Sequence, residues 1–462
     1  MTPIPEGLLA AVAQPQGALA LVIGAGSSIE PPTEIPAGGA MSLAAHTQLL
    51  RNGVLEEGEC EHPDDLAALA SLVRQKTGHQ RALVRQLPID HLRTPAANAG
   101  HKALVALMAE RAVSHVLSLN FDLAVQAAAS ELGIRTIKFI STPSELVPAD
   151  PTLVHLHRNA YADPEDLILT VEALTDEWKE GWEQVVAHDI LAAPNVLFIG
   201  LGAPAPVLSE TVDMITTAVG NGKTYYQADR VAHDESAFAA CLGIAGDHFV
   251  QGTWCEVMEA LAQRLLEEQV DQIVISGRTV LADNGAAAEA IERFETLANR
   301  LRGKSLLMLG LMRSQCRLRL ARYTPHAGFD DDLWAEPMSE LASACAEHDL
   351  TADPVASGLW KVMQGARLIA TIVITSGGGS NSVVALEPKI RALSAAIAEA
   401  SGGGPDVVLI GGVLAGPIDT TPPSDIIAGE PTADLIGGPQ HSETVLVTDA
   451  VLAARLGALA NA

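Results

Sequence analysis

Residues Leu19–Thr33 read LALVIGAGSSIEPPT, and the fold of the first half of the chain turns on this stretch. Leu19–Ile23 is a short apolar run closed by Gly24 and Gly26, the pattern of a buried strand that ends in a tight turn. Glycine at the exit lets the backbone bend sharply and lets a ligand come close, because no Cβ stands in the way. A helix starting soon afterwards would offer its N–H groups and its dipole to a phosphate. Two readings are open for the stretch alone. One is a dinucleotide-binding loop on the first strand of a Rossmann-like sheet; the other is an ordinary glycine turn.

The length of 462 residues predicts two or three domains. Hydrophobic residues make up 48% and aromatics only 3%, so Ala, Leu, Val and Ile must fill a large core. The formal charge is −27, which argues against a broad electrostatic hold on nucleic acid or an anionic membrane surface. An anionic ligand must then be gripped locally, by backbone N–H groups and a few placed cations. The five cysteines (Cys60, Cys241, Cys255, Cys316 and Cys345) are widely spaced and contain no C-x-x-C pair. That fits neither a disulfide framework nor a zinc knuckle, and predicts free thiols in a reducing compartment. The first residues, MTPIPEGLLAAVAQPQG, lack the basic start of a signal peptide, and no apolar run approaches about 20 residues. A soluble, cytoplasmic protein is expected.

Along the chain, a helix is expected from about Ser42 to Asn52. A helical insert over about 60–90 follows, with Pro63 and Asp64 as start signals. Thr94 and Pro95 open the next helix, AANAGHKALVALMAERA. Strands are expected at Val113–Leu119, Ile134–Ile140, Thr152–His157, Leu167–Thr170 and Asn195–Gly200, with helices after Asp122 and around Trp178 and Trp182. Strand, loop and helix in alternation predict an α/β domain over 1–268, built on a parallel sheet with helices on both faces.

Four stretches fall at the carboxyl ends of these strands, where open parallel sheets gather their ligands. They are Gly24, Ala25, Gly26, Ser27 and Ser28; then Leu119, Asn120, Phe121 and Asp122; then His155, Leu156, His157 and Arg158; and last Gly200, Leu201 and Gly202. With NAGHKAL (Asn98–Leu104) between the first two, the ordered set resembles the sirtuin-like family over roughly residues 19–230. The resemblance implies NAD as a substrate, with the bond between nicotinamide and ribose as the one broken. Cleavage there builds oxocarbenium-like charge on the sugar. It implies that Asn120 holds a ribose hydroxyl or a water, and that His157, in the second histidine slot of an H-L-H-G pattern, is the base. A neutral imidazole suits that role near pH 7. Asp122 would meet the nicotinamide amide. The glycine loop would face the pyrophosphate, helped by Ser27 or Ser28, with Gly200 and Gly202 completing the cofactor-binding set. His155 is expected to be structural and His101 to pack.

The sequence departs from the family at Arg158, where glycine is usual, and at Ala203–Pro204. It also lacks the paired cysteines of the zinc module that braces acyl-lysine peptides. No zinc is expected, and protein deacylation is disfavoured. The resemblance points instead to the zinc-free bacterial branch, NAD-hydrolysing effectors of anti-phage defence. That branch implies a homo-oligomer switched by a partner protein such as an ATPase or Argonaute, or by a nucleotide signal. The alternative is a non-catalytic subunit that binds NAD or ADP-ribose as a sensor or scaffold.

For residues 269–462 a second α/β domain, regulatory or for assembly, is expected. Strand candidates lie at Gln272–Ser276, Ser305–Leu311, Arg317–Tyr323, Leu368–Thr375, Val407–Ile410 and Val445–Thr448. Helical runs lie at 285–301, 338–347, 386–400 and 449–460. IVISGR (Ile273–Arg278) and ITSGGGSN (Ile374–Asn381) are candidate nucleotide loops. Arg313, Arg317, Arg319 and Arg322 form a basic cluster that could meet a nucleotide, a guide nucleic acid or the acids of a neighbouring subunit.

Overall fold

In the computed structural model the described residues are 2–14, 18–145, 151–174, 181–202, 212, 223–283, 285, 287–307, 309, 341–342, 344–356, 359–375, 406–411, 444–447 and 449–461. The chain divides into two compact units, Met1–Leu265 and Leu266–Ala462.

The first unit is organised by seven strands: β1 (Leu19–Ile23), β2 (Val113–Ser118), β3 (Lys138–Ile140), β4 (Thr152–His155), β5 (Asn195–Ile199), β6 (Thr224–Asp229) and β7 (Phe249–Gln251). They form one sheet in the order β3-β4-β2-β1-β5-β6-β7, and every neighbouring pair is parallel. All five residues of β1 are buried, as a strand covered on both faces requires. The chain leaves β1 for β2 on one side and later returns to β5 on the other. The order therefore reverses between β1 and β5, and a crevice opens at the carboxyl ends of strands where this happens.

The helices of this unit are α1 (Glu6–Ala13), α2 (Gly38–Arg51), α3 (Leu66–Thr77), α4 (Arg81–Val84), α5 (Ile89–Arg93), α6 (Ala99–Ala109), α7 (Ala124–Glu131), α8 (Trp182–Leu191) and α9 (Ala237–Leu242). Ala20, Val22, Leu117, Val154 and Phe198 of the sheet pack with Val186, Ala187 and Ile190 of α8. The insert has a core of its own, made by Met41, Ala45 and Leu49 of α2 with Leu69, Ala70 and Val73 of α3. Its start signal is one residue later than expected. Asp65 is the cap of α3, accepting from the N–H groups of Ala67 (2.8 Å) and Ala68 (3.1 Å). Helix α6 starts at Ala99 rather than at Thr94, because Asn98 and His101 close a reciprocal capping box.

Two expectations for this unit are corrected, and two strands are added. The strand at Ile134–Ile140 shrinks to Lys138–Ile140, the only residues with a ladder partner on β4. Leu167–Thr170 is not a strand; Leu167 and Leu169 fill the core of the insert instead. Strands β6 and β7 were not expected, because YYQAD and FVQ are too short and too polar for a period to emerge. Trp178 lies outside the described residues, whereas Trp182 begins α8.

Helix α10 (Trp254–Asp283) begins in the first unit and ends in the second. It overturns the strand at Gln272–Ser276 and the nucleotide loop at Ile273–Arg278. Gly277 is a helix residue there, and a Cβ on it would run into the ring of Phe294 in α11 (Ala288–Asn299). Leu306, Leu307 and Leu309 are helical too, against the strand expected at Ser305–Leu311. The second unit carries a five-stranded sheet of β8 (Thr351–Ala356), β9 (Leu359–Gln364), β10 (Arg367–Thr375), β11 (Asp406–Gly411) and β12 (Thr444–Val447), in the order β12-β11-β10-β9-β8. Strands β10 to β12 are parallel, and β8 to β10 are an antiparallel meander that the sequence reading missed. Helix α12 (Asp449–Asn461) falls where a helix was expected. Arg317–Tyr323, 386–400, the arginine cluster and Ser376–Asn381 lie outside the described residues. Among the described residues no helix is long and apolar enough to cross a membrane.

Candidate ligand-binding site

A cavity of about 510 Å³ opens at the reversal point, within the range of small-molecule sites. Its wall is built from the carboxyl ends of five strands: Gly24–Gly26 after β1, Asn120–Asp122 after β2, Gly200–Gly202 after β5, Asp229 and Arg230 at β6, and Gly252 after β7. Ala37, Gly38 and Gly39 bring the start of α2 to the same space. No side chain caps this helix, and no acid lies in its first turn. Its first N–H groups have no partner within the helix, so that end of the cavity carries partial positive charge. Arg230 is the one cation among the described lining residues.

The glycine loop does a different job from the one its sequence suggests. Ala25–Ser28 is a short 3-10 turn, not the start of a long helix. The space that a Cβ would take at Gly26 is filled by Gly200, whose Cα would be 2.7 Å away. At Gly24 the obstacles are Cδ2 of Leu201, at 2.5 Å, and the Gly200 carbonyl oxygen, at 2.6 Å. Gly200 itself has a φ of +71° and would press a Cβ to 2.7 Å from the Ser27 nitrogen. The glycines after β1 and β5 thus let two loops lock together: Gly24 N–H donates to Ile199 O (3.1 Å) and Gly26 N–H to Gly200 O (2.9 Å). At Gly202 a Cβ would meet nothing within 4 Å among the described residues.

Ser27 and Ser28 are fully buried and turn inward rather than toward a ligand. The Ser27 hydroxyl donates to Gly24 O at 2.9 Å, and the Ser28 hydroxyl donates to Asp122 Oδ2 at 3.0 Å. Asn120 donates through Nδ2 to Gly24 O and to Ser27 Oγ, both at 3.1 Å. Because the Gly24 carbonyl can only accept, this contact fixes which end of the Asn120 amide is nitrogen. Asp122 accepts from the N–H of Ala124, the first residue of α7, at 3.0 Å while it lines the cavity. Burial raises its pKa above the ordinary carboxylate value, against the pull of the hydrogen bonds from Ala124, Ser28 and Asn120.

His157 is not among the cavity-lining residues. It is buried, its ring centre lies 6.3 Å from that of Phe121, and Phe121 does line the cavity. Burial lowers its pKa to about 4, helped by the charge of Arg158 and opposed by a hydrogen bond with the Leu119 backbone. Arg158 has a φ of +69°, in the left-handed region that glycine adopts most easily. Its guanidinium stands over the Trp182 ring at 5.5 Å and lines a separate polar cavity with Arg74, Asn159 and Glu145. His101 packs as expected, 5.5 Å from the Trp254 ring, with its pKa pulled by burial to about 3.

Trp254 and Asn98 are the residues that sequence reasoning missed. Trp254 lines the cavity and donates from Nε1 to Asn98 Oδ1 at 3.1 Å, while Asn98 Nδ2 donates to Ser27 O at 3.0 Å. A Cβ on Gly100 would collide with the same indole. The glycine and asparagine of NAGH were visible signals, but the partner of Asn98 lies 156 residues away. Asp229 and Arg230 went unnoticed because β6 did.

No family model matches the chain, and no curated protein matches it. Among solved structures, a Sir2 homologue–NAD complex is 16% identical over 57% of this chain and 94% of its own, with a TM-score of 0.36. A mutant Sir2 homologue in complex with ADP-ribose is likewise 16% identical, over 57% of this chain and 96% of its own, with a TM-score of 0.35. A chain titled for the mechanism and regulation of Sir2 enzymes is 14% identical over 56% and 98%, with a TM-score of 0.32. A likeness at such scores assigns this chain no function. What the chain's own geometry defines is a parallel α/β domain with a ligand cavity at the reversal of its strand order.

Proposed function

We propose that the first unit binds NAD in this cavity and hydrolyses the nicotinamide–ribose bond, giving nicotinamide and ADP-ribose. The observation that carries the reading is the meeting of three features in one crevice: the reversal point, the uncapped start of α2 and the pinned amide of Asn120. The first is where dinucleotides lie in open α/β sheets, and the second favours a pyrophosphate. With Nδ2 committed to Gly24 and Ser27, Asn120 Oδ1 is the atom left to accept from a ribose hydroxyl or the attacking water. The water oxygen bonds to the ribose carbon as the bond to nicotinamide breaks, and a base takes the water proton. His157 is kept neutral by burial, the form a base needs, and stands behind the ring of Phe121, which would have to turn aside for it to take that proton. Asp122 faces the nicotinamide amide, and Gly202 and the backbone of Ala25 border the diphosphate. The sequence resemblance extends the reading to a regulated effector of anti-phage defence.

Purified protein is assayed for nicotinamide release, with and without its genomic partner. Asn120→Ala and His157→Ala should each lower turnover at least about 100-fold. If both variants match the wild type, the catalytic assignment is lost.

The placement of His157 behind Phe121 favours a second reading, a subunit that binds NAD or ADP-ribose without cleaving it. That reading predicts saturable binding by calorimetry, abolished by closing the cavity, with no nicotinamide released under any activating condition.

A further inference from the structure

The two histidines of His155-Leu156-His157 grip successive residues of the loop after β2. His157 bonds the backbone of Leu119, and His155 Nδ1 lies 3.1 Å from the carbonyl oxygen of Asn120. His155 ends β4 directly beside Ser118, the last residue of β2. Ser118 Oγ in turn accepts from Asn120 N–H at 3.2 Å. The Asn120 peptide is thus held at its N–H by Ser118 and at its carbonyl by His155, while its side chain is held by Gly24 and Ser27. The other ring nitrogen of His155, Nε2, meets the side-chain amide of Gln126 on α7.

The protonation pattern of this chain of contacts follows from what each atom can do. A carbonyl oxygen only accepts, so His155 Nδ1 must carry a hydrogen. The ring is 2% exposed, and burial lowers its pKa to about 4, so it is neutral at pH 7 and Nε2 must be an acceptor. Gln126 must then present its nitrogen to it. A histidine whose far nitrogen is tied by a second residue has one tautomer and one ring orientation.

We infer that His155 is a positioning residue: its Nδ1–H, enforced by Gln126, fixes the peptide of Asn120 and so aims the Asn120 amide into the cavity. This rests on the reading of the cavity as an NAD site, and it assigns a role to a histidine that lines no cavity itself.

The test uses the full chain and the pair His155→Asn and His155→Gln. Asparagine places an N–H where Nδ1 stands; glutamine places one near Nε2 and leaves Asn120 O unheld. His155→Asn should keep kcat for nicotinamide release within about threefold of the wild type. His155→Gln should lower kcat by about 10–100-fold with KM changed less than about threefold, because the loss is in aim and not in substrate grip. Equal loss in both variants, or no loss in His155→Gln, would overturn the inference, as would a defect confined to thermal stability. A second measurement needs no turnover. The spectrum of the chain labelled with 15N-histidine should show a protonated Nδ1 and an unprotonated Nε2 that disappear together in His155→Asn and mix in Gln126→Leu. If the wild type cleaves no NAD, the functional reading fails by itself, and the Nδ1–H signal alone decides the positioning role: its presence supports it and an Nε2–H tautomer ends it.

Discussion

Two stretches of this chain look alike and fold differently. LALVIGAG (Leu19–Gly26) and QIVISG (Gln272–Gly277) are both β-branched apolar runs that end in glycine. The first is a central strand and the loop after it; the second is the inside of α10. In both, glycine marks a place where another part of the molecule comes too close for a Cβ. At Gly26 the neighbour is the backbone of Gly200, at Gly24 it is that backbone together with the Leu201 side chain, and at Gly277 it is the ring of Phe294. Glycine after an apolar run therefore reports close approach, and leaves open what approaches.

The sharpest way to break this comparison is Gly26→Ala. Backbone cannot give way as a flexible side chain can, so the variant should lose about 3 kcal/mol of stability and, with the loop displaced, its NAD binding. Urea unfolding and calorimetry measure the two; a wild-type midpoint would mean that the loops are not locked.

Acid provides the next contrast, because three buried rings belong to the first unit: His101 at about 3, and His155 and His157 at about 4. Each is depressed from 6.5, so between those values the unfolded chain binds protons that the folded one does not. Stability is full above about pH 6.5 and falls on acidification, by up to about 2 kcal/mol per ring at pH 5. Asp122 has the opposite sign: its pKa is raised, so its contribution weakens as pH rises past the carboxylate range. Hydrogen exchange at pH 7 and pH 5, read peptide by peptide, should show Asn98–His157 losing protection. Unchanged protection there would contradict the burial of these rings.

Gly277→Ala should cost less than Gly26→Ala, about 1–2 kcal/mol. A gain of roughly 1 kcal/mol in helix propensity offsets part of the clash. Phe294→Leu in the same chain should relieve it, which no second substitution short of moving backbone can do for Gly26. The smallest effect belongs to Gly202→Ala, where a Cβ meets no atom of the described residues within 4 Å. Stability should change by less than about 0.5 kcal/mol, so any loss of NAD affinity in that variant reports the ligand alone.

Much of the first unit was legible because its signals are local. The runs at Leu19–Ile23 and Val196–Ile199 are apolar throughout and closed by glycine, and Val113–Ser118 is mostly buried though Ser114, His115 and Ser118 interrupt it. What stayed hidden were elements that get their order from neighbours. Strand β7 has only three residues and exists because β6 lies beside it. Leu167 and Leu169 have a strand's composition but no ladder partner, and an apolar hole in the insert takes them. At the site, Gly24, Ala25, Gly26, Asn120, Asp122, Gly200 and Gly202 meet around one cavity, as their positions at strand ends imply. His157 stands one ring behind its wall, and Ser27 and Ser28 turn away from it, since hydroxyls with buried carbonyl and carboxylate partners at hand do not wait for a ligand.

By itself the sequence determined that the first half is a parallel α/β domain, that its chemistry gathers at strand ends, and that a strongly acidic chain must hold any anion through backbone and a few cations. Only the tertiary structure decided that the glycines serve loop packing, that α2 rather than the glycine turn points its N-terminus into the cavity, and that His155 ties down Asn120. The physical reason is range. Periodicity and turn chemistry act within a few residues, whereas the atom that fills a missing Cβ, or takes a buried proton, is chosen by whichever distant segment packs there.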